Sequence, residues 1–518
     1  MKPKFYMTCA IPYANGEPHI GHAYEVVAAD MIARFKRLDG FDVRFQTGMD
    51  EHGLKIQQTA AKLGTTPQAL VDEVAAKFRK MYDAFGITYT DMIRTTEERH
   101  KKSVQVLWQK LVEKGDIYLG KYAGFYSVRD EAYFDESELT DGADGKKLAP
   151  TGAPVEWMEE ESYFFKLSAY QDKLLDFYTR NPRCIAPKSR FNEIFQFVKS
   201  GLRDLSISRT TFNWGVPVPG DPKHVMYVWV DALSNYITAL GYPNEDEDSL
   251  MKKYWPADLH MIGKDIIRFH TVYWPAFLMS AGIELPKRVF AHGWWTNEGE
   301  KMSKSVGNVV DPNELIATYG LDQTRYYMVR EAPFGLDSDF SHDSLIKRIN
   351  SNLANDLGNL AQRSLSMIAK NCASVVPTPG ERTESDKALL GKAQALLPLM
   401  RAAMDEQALH KALDAAWDVI GDANRYVDEQ APWALKKTDP VRMAAVLYVL
   451  AETVRYVAIL LQPYMPGSMA KMLDQLAVPE NERDFTFLND EAALKAGTPL
   501  PAPAGVFPRF ALPEDKKA

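Results

Sequence analysis

Phe5-Tyr6-Met7-Thr8-Cys9 leads through Pro12, Asn15, Gly16 and Pro18 into His19-Ile20-Gly21-His22, and then into Ala23 to Leu38. The first run is short, apolar and strand-like. The turn formers after it make a loop. Val26, Val27, Met31, Ile32 and Phe35 then recur at helical spacing on one face. Phe41 to Thr47 is strand-like again. Strand, helix and strand in that order predict a parallel α/β sheet with a right-handed crossover.

Working outward, the chain of 518 residues has room for about three domains. With 46% hydrophobic and 25% charged residues it has the material for a sizeable core in a soluble protein. Lys2, Pro3 and Lys4 are followed by no long apolar region, so no signal peptide is expected. The most apolar stretch, Met443 to Leu461, is broken by Glu452 and Arg455 and reads as a core helix, not a membrane span. Cys9, Cys184 and Cys372 lie far apart. They supply neither a disulfide framework nor a C-x-x-C pair for zinc, and a reducing cytoplasm suits them. A net charge of −8 weighs mildly against a nucleic-acid binder. It does not exclude one, because phosphate contacts need a local basic face only.

Residues 116–224 change character. Tyr122 to Tyr126 and Tyr163 to Leu167 read as short strands, and Leu139 to Pro154, rich in Gly, Asp and Lys, as an exposed loop. This region is expected to interrupt the sheet, which occupies 1–115 and resumes over 225–292 through Leu259 to Ile262 and Arg288 to Ala291. A stretch at 293–345 follows. Residues 346–484 read as a helical bundle, with Leu409, Leu413, Trp417, Ile420, Asn424 and Val427 on one face. Met443, Val446, Leu450, Val454, Val457 and Leu461 form another such face. The proline-bearing tail, 485–518, is expected to pack on the surface.

The chemistry starts at Pro18-His19-Ile20-Gly21-His22. Open α/β sheets bind ligands at the carboxyl ends of their strands, and a helix N-terminus there offers N–H groups to phosphate. Gly21 would let a nucleotide approach the backbone. His19 and His22 could donate to phosphate oxygens as charge develops. Alone, the pattern would favour two surface histidines on an ordinary loop, or a metal pair. Lys301-Met302-Ser303-Lys304-Ser305 is a doubly basic loop. Its lysines could cover a triphosphate, though such a loop by itself is more often a solvated turn.

Together and in this order, H-I-G-H and K-M-S-K-S resemble the paired signature of class I aminoacyl-tRNA synthetases. The resemblance narrows to the methionyl-tRNA synthetases through Ala10-Ile11-Pro12-Tyr13-Ala14-Asn15-Gly16, Gly48-Met49-Asp50-Glu51-His52-Gly53 and Val228-Trp229-Val230-Asp231-Ala232. It continues through Ile262-Gly263-Lys264-Asp265, Phe269-His270, Trp274-Pro275-Ala276 and His292-Gly293-Trp294-Trp295. It implies a Rossmann-type parallel sheet split by a connective insertion, followed by an all-α anticodon-binding bundle.

It also implies a site. Methionine is unbranched and carries a polarisable sulfur that favours aromatic ring edges. Tyr13, Trp229, Tyr236 and Trp274 would box it, with Ile11, Ala232 and Ile266 as apolar wall and Ala10 and Leu233 also at the methionine site. Each aromatic taken singly reads more simply as core. His270 and the Tyr13 hydroxyl are candidate donors to the thioether. Asp50 would take the substrate ammonium, with Arg209 as its partner. Asn15, His19, Gly21 and His22 are expected at the ATP phosphates, Gly263 and Asp265 at the ribose, and Gly293 and Trp294 at the adenine. Lys301 and Lys304 are expected to act with His19 and His22 in catalysis. Mg²⁺ would arrive with ATP, held by phosphate oxygens and water. The reaction would run through methionyl-adenylate, without a covalent protein nucleophile.

In the helical region Asn359-Leu360-Ala361-Gln362-Arg363 and Asp428-Glu429-Gln430-Ala431-Pro432-Trp433 resemble anticodon-reading segments. Trp433 would stack on a base, Pro432 would stiffen the platform, and Asn359 and Arg363 would bond base edges. Many relatives carry zinc knuckles in the insertion. Gly124 to Pro154 has no cysteine, so no bound zinc is expected. A monomer acting on methionine, ATP and tRNA(Met) in the cytoplasm, away from membranes, is the reading that results. Its rivals are a synthetase for cysteine or a branched residue, a non-catalytic RNA-binding relative, and a small-molecule nucleotidyltransferase.

Overall fold

The computed structural model describes residues 2–142, 145–297, 299–302, 308–331 and 333–511. Its centre is a six-stranded sheet. In chain order the strands are β1 (Lys4–Cys9), β2 (Asp42–Met49), β3 (Asp91–Arg94), then, after two strands of the insertion (β4, Ile117–Ser127; β5, Glu156–Phe165), β6 (Ile185–Ala186), β7 (Leu259–Gly263) and β8 (Val289–His292). Across the sheet they run β3-β2-β1-β7-β8-β6, all parallel. The order reverses between β1 and β7. Chains leaving those two strands turn to opposite sides and open a crevice at their carboxyl ends.

The opening motif is the expected strand, helix and strand, with helix α1 at Ile20–Leu38. The helix differs from expectation in one respect: it is buried on nearly all sides, not on one face. It is sandwiched between the sheet and the helices that follow it in the chain, so the two halves of the molecule share one continuous apolar core. A buried ion pair crosses that junction. Arg325 Nη2 donates to Asp30 Oδ2 at 2.8 Å, and the same guanidinium reaches the carbonyls of Phe85, Pro463 and Tyr464.

The insertion forms its own antiparallel sheet, with β4 and β5 paired along their length and flanked by Ala132–Phe134 and Leu205–Ser206. Residues 116–224 nonetheless return once to the main sheet, because β6 pairs with β8 at its edge. The expected loop from Leu139 contains a two-residue ladder, Thr140–Asp141 with Lys147–Leu148.

The helical part begins with His342–Arg348, which runs on through a π-helical stretch, Ile349–Gly358, into Asn359–Asn371. Pro440–Leu461 is its centre. The expected single apolar face is a misreading of this helix, which is buried nearly all round from Met443 to Leu461 because other helices of the bundle pack about it. Its two charged residues pair with each other, Arg455 Nε lying 3.0 Å from both Glu452 oxygens. They also tie down the tail: Arg455 Nη1 donates to the Phe487 carbonyl, and Glu452 accepts from the Leu494 amide.

Candidate active site

The turn into α1 is held by the two histidines of the first motif. His19 is the N-cap, and its Nδ1 accepts from the Gly21 amide at 3.1 Å. His22 Nδ1 accepts from the His19 amide at 3.2 Å, closing a reciprocal capping box. The rings stack with centroids 3.8 Å apart, and Phe78 meets the His22 ring edge-on. Since both Nδ1 atoms accept, each ring carries its proton on Nε2. At Gly21 space is tight, since a Cβ would lie 3.0 Å from His19 Cε1. Asn15 is exposed on the preceding loop.

The segment that follows the second motif comes to the same turn. The carbonyl of Val310, just beyond it, accepts from the Ile20 amide at 3.1 Å. Asn297 Nδ2 donates to the Asn308 carbonyl. Lys301 is placed by its backbone in the short strand Glu300–Lys301, antiparallel to Trp295–Asn297. Lys304 lies outside the described residues.

At the ends of β7 and β8 the predicted nucleotide residues lie together. A Cβ on Gly263 would stand 2.7 Å from Asp265 Oδ1. The Trp294 indole donates to that same oxygen at 3.2 Å. Lys264 lies 4.2 Å from the Trp294 ring centroid and pairs with Asp337, which also accepts from the Trp294 amide. Gly293 is pressed against the backbone of Leu336 and Asp337, where a Cβ would come within 2.3 Å. Below them sits a pair that sequence reasoning missed. His292 Nε2 lies 2.8 Å from Glu25 Oε2, and His292 Nδ1 faces its neighbour's carbonyl. Burial raises the Glu25 carboxyl; at His292 burial is opposed by the hydrogen bond to Glu25, the Glu25 charge, the Gly293 carbonyl and Asp265, which together hold it above the usual imidazole value. Glu25 follows His22 by three residues on α1, a spacing that could have drawn notice.

Across the crevice lie the aromatic residues. Val228–Leu233 carries Trp229, Ala232 and Leu233, and Asn235–Thr238 carries Tyr236. Lys264–Ile266 ends in Ile266, and a π-helical turn, Phe269–Tyr273, presents His270 just before Trp274 opens the next helix. The Tyr236 ring lies 6.2 Å from Trp274, and Trp229 stands edge-on to His270 at 6.1 Å. Trp229 also stacks flat on Phe269 at 3.8 Å, a partner not anticipated. Trp229, Tyr236, His270 and Trp274 are thus brought together.

In this structure His270 and Tyr13, the donors expected for the thioether, are engaged with partners within the chain. His270 Nδ1 faces the Ile266 carbonyl at 2.9 Å and must donate to it. Its Nε2 then accepts from the Tyr236 hydroxyl. Burial pushes this imidazole down to about 4, so no second N–H is available near neutral pH. The Tyr13 hydroxyl donates to Glu131 Oε1 at 3.1 Å. The box offers shape and ring edges to a side chain, and its donors without a partner among the described residues are the indole N–H groups of Trp229 and Trp274.

Asp50 directly follows β2 and bridges to Tyr13; the Ala14 amide bonds to its carbonyl. Ala10 extends β1 by a bond to the Met261 carbonyl, and Ile11 packs over Gly48. The Asp50 side chain is buried, and its Oδ1 has no partner among the described residues. Burial first, then the charges of Asp231, Glu131 and Glu51, raise its carboxyl well above the ordinary value. Such a group is poised for a cation. Behind it, Asp231 is held between His52 and His100 at 2.6 and 2.7 Å, and these partners outweigh burial to keep its carboxyl at about 2. Arg209, expected to pair with Asp50, donates to Ser206 and Ser208, with its guanidinium 4.5 and 4.6 Å from the ring centroids of Tyr133 and Tyr227. Glu131 was also missed; it comes from the insertion and matches no motif.

In the helical part Arg363 stands 5.7 Å from the Trp433 ring centroid and pairs with Asp428. Trp433 is 48% exposed, which favours a platform over a core role. Pro432 begins its helix and is buried, and Asn359 is exposed one turn before Arg363.

Residues 5–365 match the family model described as tRNA synthetases class I (M), and residues 376–517 match the anticodon binding domain of methionyl tRNA ligase. The chain is 63% identical to the methionine–tRNA ligase of Mesorhizobium japonicum over 98% of both chains. It is similar to a solved Mycobacterium tuberculosis methionyl-tRNA synthetase in complex with methionyl-adenylate, at a TM-score of 0.96 and 55% identity, covering 98% of this chain and 100% of that one. The apo form of that enzyme superposes with a TM-score of 0.90 at 51% identity, covering 99% of each chain.

Proposed function

We propose, because this chain belongs to the methionyl family of class I tRNA synthetases, that the crevice between β1 and β7 is where it activates its amino acid. The chain is an enzyme that joins methionine to ATP as methionyl-adenylate and then to tRNA. The observation that carries the assignment of the crevice is Asp50. Its buried Oδ1 has no partner among the described residues, as a site for a methionine ammonium requires, and its backbone bridges to Tyr13, one of the residues expected to box the side chain.

In this reading the methionine carboxylate attacks the α-phosphorus of ATP in line, and the bond to the β-phosphate breaks to release pyrophosphate. His19 and His22 donate through Nε2–H to phosphate oxygens, and Lys301 and Lys304 stabilise the departing charge. Gly263 and Asp265 hold the ribose, with Trp294 and the Gly293 backbone beside the base. Mg²⁺ arrives with ATP on phosphate oxygens and water. A terminal ribose hydroxyl of tRNA then attacks the adenylate carbonyl carbon, and AMP leaves. Asn359, Arg363, Pro432 and Trp433 read the anticodon of tRNA(Met) by stacking and edge contacts. The enzyme works as a monomer in the cytoplasm.

Pyrophosphate exchange into ATP tests this. Exchange is expected with methionine and not with leucine or cysteine. Exchange with no amino acid would leave only an RNA-binding role.

A further inference from the structure

Glu131 sits at a hairpin corner of the insertion, yet it is only 4% exposed. Its backbone is left-handed, at φ 48, a conformation that costs a non-glycine residue about 1 kcal/mol or more. The corner is fixed from outside: Asp130 exchanges hydrogen bonds with Ser127, and Arg129 bonds the Thr151 carbonyl at 2.7 Å. This geometry turns the Glu131 side chain inward. Oε1 accepts from the Tyr13 hydroxyl at 3.1 Å and from the Lys55 amide at 3.0 Å, while Oε2 accepts from Tyr126. Nothing larger than glycine fits beside it. At Gly53, φ +117, a Cβ would stand 2.7 Å from Glu131 Oε1 and 2.8 Å from the Tyr13 hydroxyl oxygen. Three separate segments, the loop after β1, the loop after β2 and the insertion, therefore meet at this one carboxylate.

We propose that Glu131 is a positioning residue for amino-acid activation: through it the insertion holds the Tyr13 ring at the methionine pocket, beside Asp50. This rests on the reading of the crevice as the methionine site. Glu131 acts through the Tyr13 hydroxyl, not as a second anion for the substrate ammonium. It follows that the shape of the insertion is felt in the affinity for methionine and not in the affinity for ATP.

The test is pyrophosphate exchange with the full-length enzyme carrying E131A, E131Q, Y13F, E131A/Y13F or D50N. E131A is expected to raise KM for methionine about tenfold, one hydrogen bond's worth, with KM for ATP changed less than twofold. E131Q keeps an acceptor oxygen for Tyr13 and is expected to restore most of that loss. Y13F breaks the same bond from the other side and leaves the hairpin intact, so it is expected to match E131A, with the double variant no worse than the worse single one. An unchanged methionine KM in Y13F or E131A, equal losses for both substrates, or multiplicative effects in the double variant would overturn the proposal. So would an E131Q enzyme as weak as E131A, since that outcome assigns the effect to charge. D50N separates the underlying reading: if it leaves the methionine KM unaltered, the crevice assignment fails, whatever Glu131 does.

Discussion

The Tyr236 hydroxyl donates to His270 Nε2 across 2.6 Å inside the aromatic box. With Nδ1 committed to the Ile266 carbonyl, the imidazole is locked neutral, and burial pushes it down to about 4. Above the unfolded value near 6.5 both states are neutral and the group costs nothing. As pH falls from there towards 4, the unfolded chain takes up a proton that the folded chain refuses, so stability is lost. Between pH 7 and pH 5 this amounts to about 2 kcal/mol. Denaturant unfolding at the two pH values measures it. The H270N variant should show a pH slope smaller by that amount; an unchanged slope would refute the assignment.

The raised carboxyl of Asp50 has a consequence for binding. In the empty site its proton is held more tightly than in water, and a methionine ammonium would displace it. Methionine binding should therefore release protons wherever the free enzyme holds Asp50 protonated, and the methionine KM should rise as pH falls. Calorimetric titration in two buffers of different ionisation heat reads the proton count directly. D50N should abolish the release. Proton uptake by the unaltered enzyme would contradict the ammonium role.

What could be read from the sequence followed from how local each signal is. The strand, turn and helix from Phe5 to Leu38 carry their pattern within a few turns of chain, and the structure keeps it. The residues gathered around His270 were named only through family resemblance, because no spacing rule links Tyr13 to Trp274. Ile185–Ala186 joins the sheet with two residues, too few for any periodicity. Glu131 was invisible because its place depends on a left-handed corner and on partners far away in sequence. The helix Pro440–Leu461 was read as one-faced since every third or fourth position is apolar; most positions between are apolar too, as a central helix needs.

Trp433 is half exposed beside Arg363, and its removal should separate the two steps of the reaction. W433A is expected to lower kcat/KM for tRNA charging by tenfold or more, on the order of one stacked base, with pyrophosphate exchange nearly intact. Equal losses in both assays would contradict an anticodon role.

Arg325 and Asp30 join the two halves of the molecule where neither side chain reaches water. Burial raises the Asp30 carboxyl, but Arg325, Arg34 and the Thr88 hydrogen bonds together outweigh it and hold the group below its usual range. Replacing Arg325 by Met leaves a buried charge without this partner and should cost about 3–5 kcal/mol in urea unfolding. The D30N/R325M double variant should recover part of the loss. A cost under about 1 kcal/mol would mean that the junction does not depend on this pair.

The measurement that reaches furthest is a crystal structure with methionine and a non-hydrolysable ATP analogue. The ammonium should lie within hydrogen-bonding distance of Asp50 Oδ1, with the thioether among Tyr13, Trp229, Tyr236 and Trp274 and the phosphates over His19 and His22. Methionine bound outside that box, or with its ammonium turned away from Asp50, would contradict the assignment of the crevice.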